Sequence, residues 1–101
     1  MRKNKLREII IEGKPTLATR LLSVCPGLVE IIGHTGMFDY IEFLGEYSPW
    51  DLHDLENISR AVELFDMSSM TEETRVVPAF CAQRALGSGI QNILFTDIRT
   101  I

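Results

Sequence analysis

Phe38-Asp39-Tyr40-Ile41-Glu42-Phe43-Leu44 runs into Gly45-Glu46-Tyr47-Ser48-Pro49-Trp50 and then into Asp51-Leu52. The first stretch alternates and is rich in β-branched and aromatic residues, which predicts a strand. The second has loop composition. Asp51 is a good N-cap, and Leu52, Leu55, Ile58, Val62 and Phe65 then recur at intervals of three or four, which predicts a helix over Leu52–Phe65. Strand, loop and helix follow one another within this one stretch. The flanking sequence repeats the same unit.

Toward the N-terminus, Thr16–Leu22 is a short apolar-rich run between Pro15 and Pro26 and reads as a strand. Ser23–Gly27 is the loop that leaves it. Pro26 suits the first turn of a helix whose apolar face is Leu28, Val29, Ile31 and Ile32, with Gly33 to Gly36 as its end. Before this unit, Asn4 caps a helix carrying Leu6, Ile9 and Ile10, stopped by Gly13. Toward the C-terminus, Arg75-Val76-Val77 is a stub of strand, Ala79–Leu86 a helix between Pro78 and Gly87, and Ile90–Phe95 a last strand. Strands alternating with helices imply parallel pairing through right-handed crossovers.

The chain has 101 residues, enough for one domain, with 46% hydrophobic and 24% charged residues. Ten Lys and Arg stand against 14 Asp and Glu, a net charge of −4. Such a balance lacks the cationic surface that a nucleic-acid backbone requires, so no nucleic-acid partner is expected. The apolar runs are far shorter than the ~20 residues that span a bilayer, and the N-terminus lacks a signal-peptide core, so no membrane partner is expected. Cys25 and Cys81 have neither CxxC nor metal-ligand spacing and read as reduced, buried or half-buried thiols of a cytoplasmic protein.

Parallel α/β folds bind ligands outside the carboxyl ends of their strands. Four loops therefore matter. Arg20, Ser23 and Cys25 lie at the first, and an Arg there offers a carboxylate a planar fork of donors. The alternative is that Arg20 pairs with Glu42 or Glu46. Glu46 and Tyr47 lie at the second loop, where a carboxylate can orient a water and a phenol can exchange a proton. Trp50 reads as a packing anchor. Asp97 and Arg99 follow the last strand. His34 and His53 have no companions at zinc-ligand spacing, and Gly33-His34-Thr35-Gly36 lacks the pattern of a phosphate loop. Spacing alone leads to a parallel α/β enzyme scaffold, with a small open flavodoxin-like sheet as the alternative.

Four segments resemble the HpcH/HpaI aldolases, metal-dependent enzymes of the phosphoenolpyruvate/pyruvate barrel superfamily. They are Lys5-Leu6-Arg7 with Gly13–Thr19, Phe38–Phe43 with Gly45-Glu46, Asp51-Leu52 with Arg60–Leu64, and Gln83–Leu94. The resemblance implies a partial TIM (β/α)8 barrel, the first four βα units after an N-terminal helix, so that residues 1–101 form the N-terminal half of a barrel that needs ~250 residues. It implies reversible aldol cleavage of a 4-hydroxy-2-oxo acid to pyruvate and an aldehyde. It also implies a divalent cation, Mg²⁺ or Mn²⁺, whose carboxylate ligands come from later strands and have no match in this chain.

By that resemblance Arg20 and Glu46 bind substrate. Tyr47 stands where the family usually has a catalytic His after the Glu, and Arg75 is the nearest match to the family's Arg at the end of the third strand. A homo-oligomer, or a separate second barrel half, is the expected partner. The second functional reading is a non-catalytic barrel relative that self-associates or binds a partner.

Overall fold

The computed structural model describes residues 2–73 and 78–96. The order of elements is α1 (Lys5–Ile11), β1 (Ala18–Leu21), α2 (Pro26–His34), β2 (Tyr40–Phe43), α3 (Leu52–Val62), β3 (Ser68–Glu73), α4 (Pro78–Gly87) and β4 (Asn92–Phe95). The four strands form one sheet in the order β1-β2-β3-β4, and every neighbouring pair is parallel. A sheet whose spatial order follows the chain has no reversal point, so it is singly wound.

The side-chain period of two decides which way each face looks. Leu21, Ile41 and Phe43 share one face, and they build the core with Val29 of α2, Leu55, Ile58 and Val62 of α3, and Ala85 of α4. Helices α2, α3 and α4 thus cover one face only. The open flavodoxin-like alternative needs helices on both faces and is excluded by this layering. One-sided cover of a singly wound parallel sheet is the arc of a (β/α)8 barrel.

The helix signals act as the sequence suggests. Pro26 opens α2, and Asp51 caps α3 in a reciprocal box in which its side chain accepts from the Asp54 N–H at 2.9 Å while Asp54 accepts from the Asp51 N–H at 2.8 Å. Gly13, at φ 70°, turns the chain out of α1, where a Cβ would be strained.

Strand β3 is a correction. The expected stub at Arg75-Val76-Val77 lies outside the described residues, and the strand is formed by Ser68-Ser69-Met70-Thr71-Glu72-Glu73. This stretch is polar, yet Ser68, Ser69 and Thr71 are almost wholly buried. Their hydroxyls are satisfied in place: Ser68 donates to Asn4 Oδ1 at 3.2 Å, Ser69 accepts from the Gln91 N–H at 3.0 Å, and Thr71 donates to the Phe43 carbonyl at 3.3 Å. Burial of a hydroxyl costs little once it is hydrogen-bonded, so hydrophobic pattern alone misses such a strand.

Helix α1 sits at the amino ends of the strands. Asn4 accepts from the Arg7 N–H at 3.1 Å as N-cap and donates to Asn92 Oδ1 at 2.9 Å, while Arg2 donates to the carbonyls of Phe65 and Met67 at 2.9 and 2.8 Å. At the same end, Asp39 accepts from the Leu17 N–H at 2.9 Å, and that backbone bond holds its carboxyl below the usual range. Asn4→Ala removes a cap and leaves the Ser68 hydroxyl without its acceptor. It is expected to lower unfolding free energy by about 1–2 kcal/mol, read by urea denaturation.

Candidate active site

The loop after β2 is a tight turn pressed onto the neighbouring strand. The N–H groups of Tyr47 and Ser48 both donate to the Leu44 carbonyl, at 3.2 and 3.1 Å. The indole of Trp50 donates to the Gly45 carbonyl at 2.8 Å, so Trp50 is the anchor expected of it. Gly45 is buried, and a Cβ built on it would lie 2.5 Å from the Glu72 carbonyl and 3.0 Å from Thr71 Oγ1. Only a residue without a side chain lets the turn approach β3 this closely.

That approach aims Glu46 across the sheet. Its Oε2 lies 3.0 Å from the hydroxyl of Thr96, just past β4, and the same hydroxyl lies 3.0 Å from the Glu73 carbonyl at the end of β3. The single Thr96 proton serves one acceptor at a time. The carboxyl ends of β2, β3 and β4 are therefore tied together through one hydroxyl. Tyr47, next to Glu46, is 70% exposed. Arg75 lies outside the described residues, as do Asp97 and Arg99.

Arg20 lies on β1 directly opposite Glu42 on β2, on the sheet face turned away from the helices. Its Nε is 2.6 Å from Glu42 Oε2. Of the two partners open to Arg20 in the sequence, the structure selects Glu42. The period of two explains the choice: Glu42 sits between Ile41 and Phe43, which point into the core, and so faces the same side as Arg20.

On the helix side of the sheet, Glu73 is 1% exposed and faces α4. Among the described residues no nitrogen or oxygen donor reaches either of its carboxyl oxygens. The Cys81 thiol of α4 lies beside it as a weak donor. Burial pushes the Glu73 carboxyl up to about 7, with the thiol opposing in part. Burial and then the Glu73 charge push the Cys81 thiol up, so it stays protonated and poorly nucleophilic at neutral pH. The cysteines divide: Cys81 is buried, whereas Cys25, expected buried or half-buried, is exposed because it stands at the N-cap position of α2, outside the core. His53 is exposed on α3, and His34 packs edge-on against Phe65 at 5.0 Å between ring centroids.

Among the described residues no three His, Cys, Asp or Glu side chains converge as a metal site. Glu46 stands with the Thr96 hydroxyl and Glu42 with the Arg20 guanidinium. The described residues do not by themselves fit the cation that the resemblance implies.

The backbone has the course of the first part of several solved barrels. It superposes on the citrate synthase SbnG with a TM-score of 0.85 at 18% identity, covering 95% of this chain and 38% of that one. An HpcH/HpaI aldolase from Desulfitobacterium hafniense DCB-2 matches with a TM-score of 0.78 at 21% identity, over 90% of this chain and 35% of that one. This chain has the fold of part of a (β/α)8 barrel. A protein of the HpcH/HpaI aldolase/citrate lyase family from Burkholderia cenocepacia J2315 matches with a TM-score of 0.83 at 22% identity, over 97% of this chain and 38% of that one. At these identities the likeness establishes the fold. The chain spans 35–38% of the length of these three structures. No family model and no curated protein matches the sequence. No helix among the described residues is long and apolar enough to cross a membrane.

Thr96 and Glu73 are absent from the sequence-based candidates. The loop after Phe95 is among the four expected at the site, but its hydroxyl carries no motif. Glu73 falls in a polar stretch that reads as loop until the strand is seen.

Proposed function

We propose that residues 1–101 are the N-terminal half of an aldolase-type barrel and serve a carbon–carbon lyase. The reaction is reversible cleavage of a 4-hydroxy-2-oxo acid to pyruvate and an aldehyde. The observation that supports this most is the placement of Arg20 and Glu46 toward the carboxyl side of a singly wound parallel sheet, where barrel enzymes hold their substrates. In this reading Arg20 and Arg75 bind the oxygens of the oxo acid, where negative charge grows as the carbon–carbon bond breaks. Glu46 orients a water or a neighbouring group, and Tyr47 moves the proton. A divalent cation, Mg²⁺ or Mn²⁺, would polarise the oxo acid, with ligands from outside the described residues. We assign the protein to the cytoplasm.

Exchange of the pyruvate methyl protons for deuterium tests the reading. The protein assembled with whatever completes its barrel is expected to catalyse that exchange with added Mg²⁺ or Mn²⁺, followed by proton NMR. Arg20→Gln is expected to slow it about 100-fold, in line with loss of an oxyanion partner. Absence of exchange in an assembled barrel rejects the lyase reading.

One observation favours the second reading, a self-associating module. The outermost strand β4 exposes Leu94 and Phe95, at 36% and 48%, beside a strand edge that has no partner among the described residues. A parallel strand edge with apolar neighbours invites pairing. Light scattering showing stable oligomers without any proton exchange supports that reading over catalysis.

A further inference from the structure

We propose that Glu42 is a positioning residue: it holds Arg20 by the Nε edge so that the Nη edge can take the carboxylate of a small oxo acid. The inference rests on the reading above, that the open face of the sheet binds such an acid.

The geometry of the pair carries it. Arg20 and Glu42 are register partners on adjacent strands, so their side chains leave the same face at the same height. The contact uses Nε and Oε2, 2.6 Å apart. The two ends differ sharply in exposure, 71% for the Arg20 side chain and 6% for that of Glu42. A surface pair exposes both ends, and a pair that neutralises a buried charge hides both. Here the carboxylate is sunk in the sheet and the guanidinium projects from it. No other acid among the described residues lies within ion-pair distance of Arg20. Two Nη groups on one planar cation are thus left to accept a partner, and their donors match the two oxygens of a carboxylate.

Two opposing effects follow from Glu42. Its charge offsets that of Arg20, which weakens the attraction for an anion. Its grip also removes freedom from a side chain with several rotatable bonds, so less order must be created when the ligand arrives. The proposal is that the second effect wins.

Oxalate serves as the probe, and its dissociation constant is measured by calorimetry beside the thermal midpoint. Glu42→Gln preserves shape and one acceptor oxygen but removes the charge. The expected result is oxalate binding weakened about tenfold, with Arg20→Lys causing a much smaller further loss in the Glu42→Gln protein than in the wild type. An unchanged or tightened dissociation constant overturns the proposal, as does a change confined to the thermal midpoint, which marks a purely structural pair. In the wild-type protein the Arg20 Nε–H proton is expected to exchange slowly with water before any ligand is added. Exchange as fast as that of free arginine overturns the proposal even if the Glu42 variant does not fold. Wild-type protein that ignores oxalate sinks the oxo-acid reading with it. Binding that survives Arg20→Gln undiminished spares that reading and sinks only this one.

Discussion

The stability advantage of Glu73→Val over wild type is expected to grow by about 3 kcal/mol between pH 4 and pH 8. The reason is the position of the carboxyl between β3 and α4, 1% exposed, with no nitrogen or oxygen donor on either oxygen among the described residues. Its proton is held up to about 7 where 4.5 is ordinary. In the unfolded chain the group ionises near its ordinary value, and in the folded chain only near 7. Below about 4.5 both forms are protonated and Glu73 costs nothing on this account. Between the two values the folded protein binds the extra proton, so unfolding free energy falls as pH rises. Above about 7 the full penalty stands, about 3 kcal/mol at ~1.4 kcal/mol per pH unit. Valine has no charge to bury and fits a face shared with Thr71 and Ile93.

Glu73→Gln separates charge from packing. It should flatten the pH dependence between 5 and 8 but stay less stable than the valine protein, because its amide remains short of partners. Urea denaturation at several pH values reads both. Equal pH slopes for wild type and Glu73→Gln would show that the carboxyl is solvated. The Thr96 hydroxyl contacts the backbone carbonyl of residue 73, so the link to Glu46 is expected to survive both substitutions.

Glu73 also shows where legibility in the sequence ends. Strands β1, β2 and β4 and helices α2 and α3 follow from local signals: alternation around Ile41 and Phe43, Pro26 at a helix start, Asp51 as a cap. These are effects of neighbours within a few residues, which a linear reading can weigh. Strand β3 depends on partners far along the chain, since Ser68 is satisfied by Asn4 and Ser69 by the backbone of Gln91. Its polar composition becomes compatible with burial only through them. The site divides in the same way. The pairing of Arg20 with Glu42 rather than Glu46 follows from strand parity once the register is known. The Glu46–Thr96 contact joins residues 50 positions apart across two strand ends, and no spacing rule announces it.

Gly45→Ala is expected to cost about 2–3 kcal/mol and to displace Glu46 from Thr96. The alanine methyl would stand 2.5 Å from the Glu72 carbonyl oxygen, which belongs to a paired strand and cannot rotate away. Thr71 Oγ1 at 3.0 Å closes a second direction, and that hydroxyl is itself held by the Phe43 carbonyl. The third side is Trp50 Nε1 at 3.4 Å, fixed by its bond to Gly45. With three directions blocked, the turn itself must lift off β3. Overpacking of this kind costs about 1–3 kcal/mol, and loosening the indole–carbonyl bond adds about 1 kcal/mol. Lifting the turn moves Glu46, because only the residues of the turn connect that carboxylate to β2. The fold and the site therefore fail together here, whereas Glu46→Gln should spare stability and change only the proton chemistry. Denaturation measured beside pyruvate proton exchange distinguishes the two. If Gly45→Ala were as stable as wild type and exchanged at the same rate, the close approach of the turn to β3 would play no part in placing Glu46.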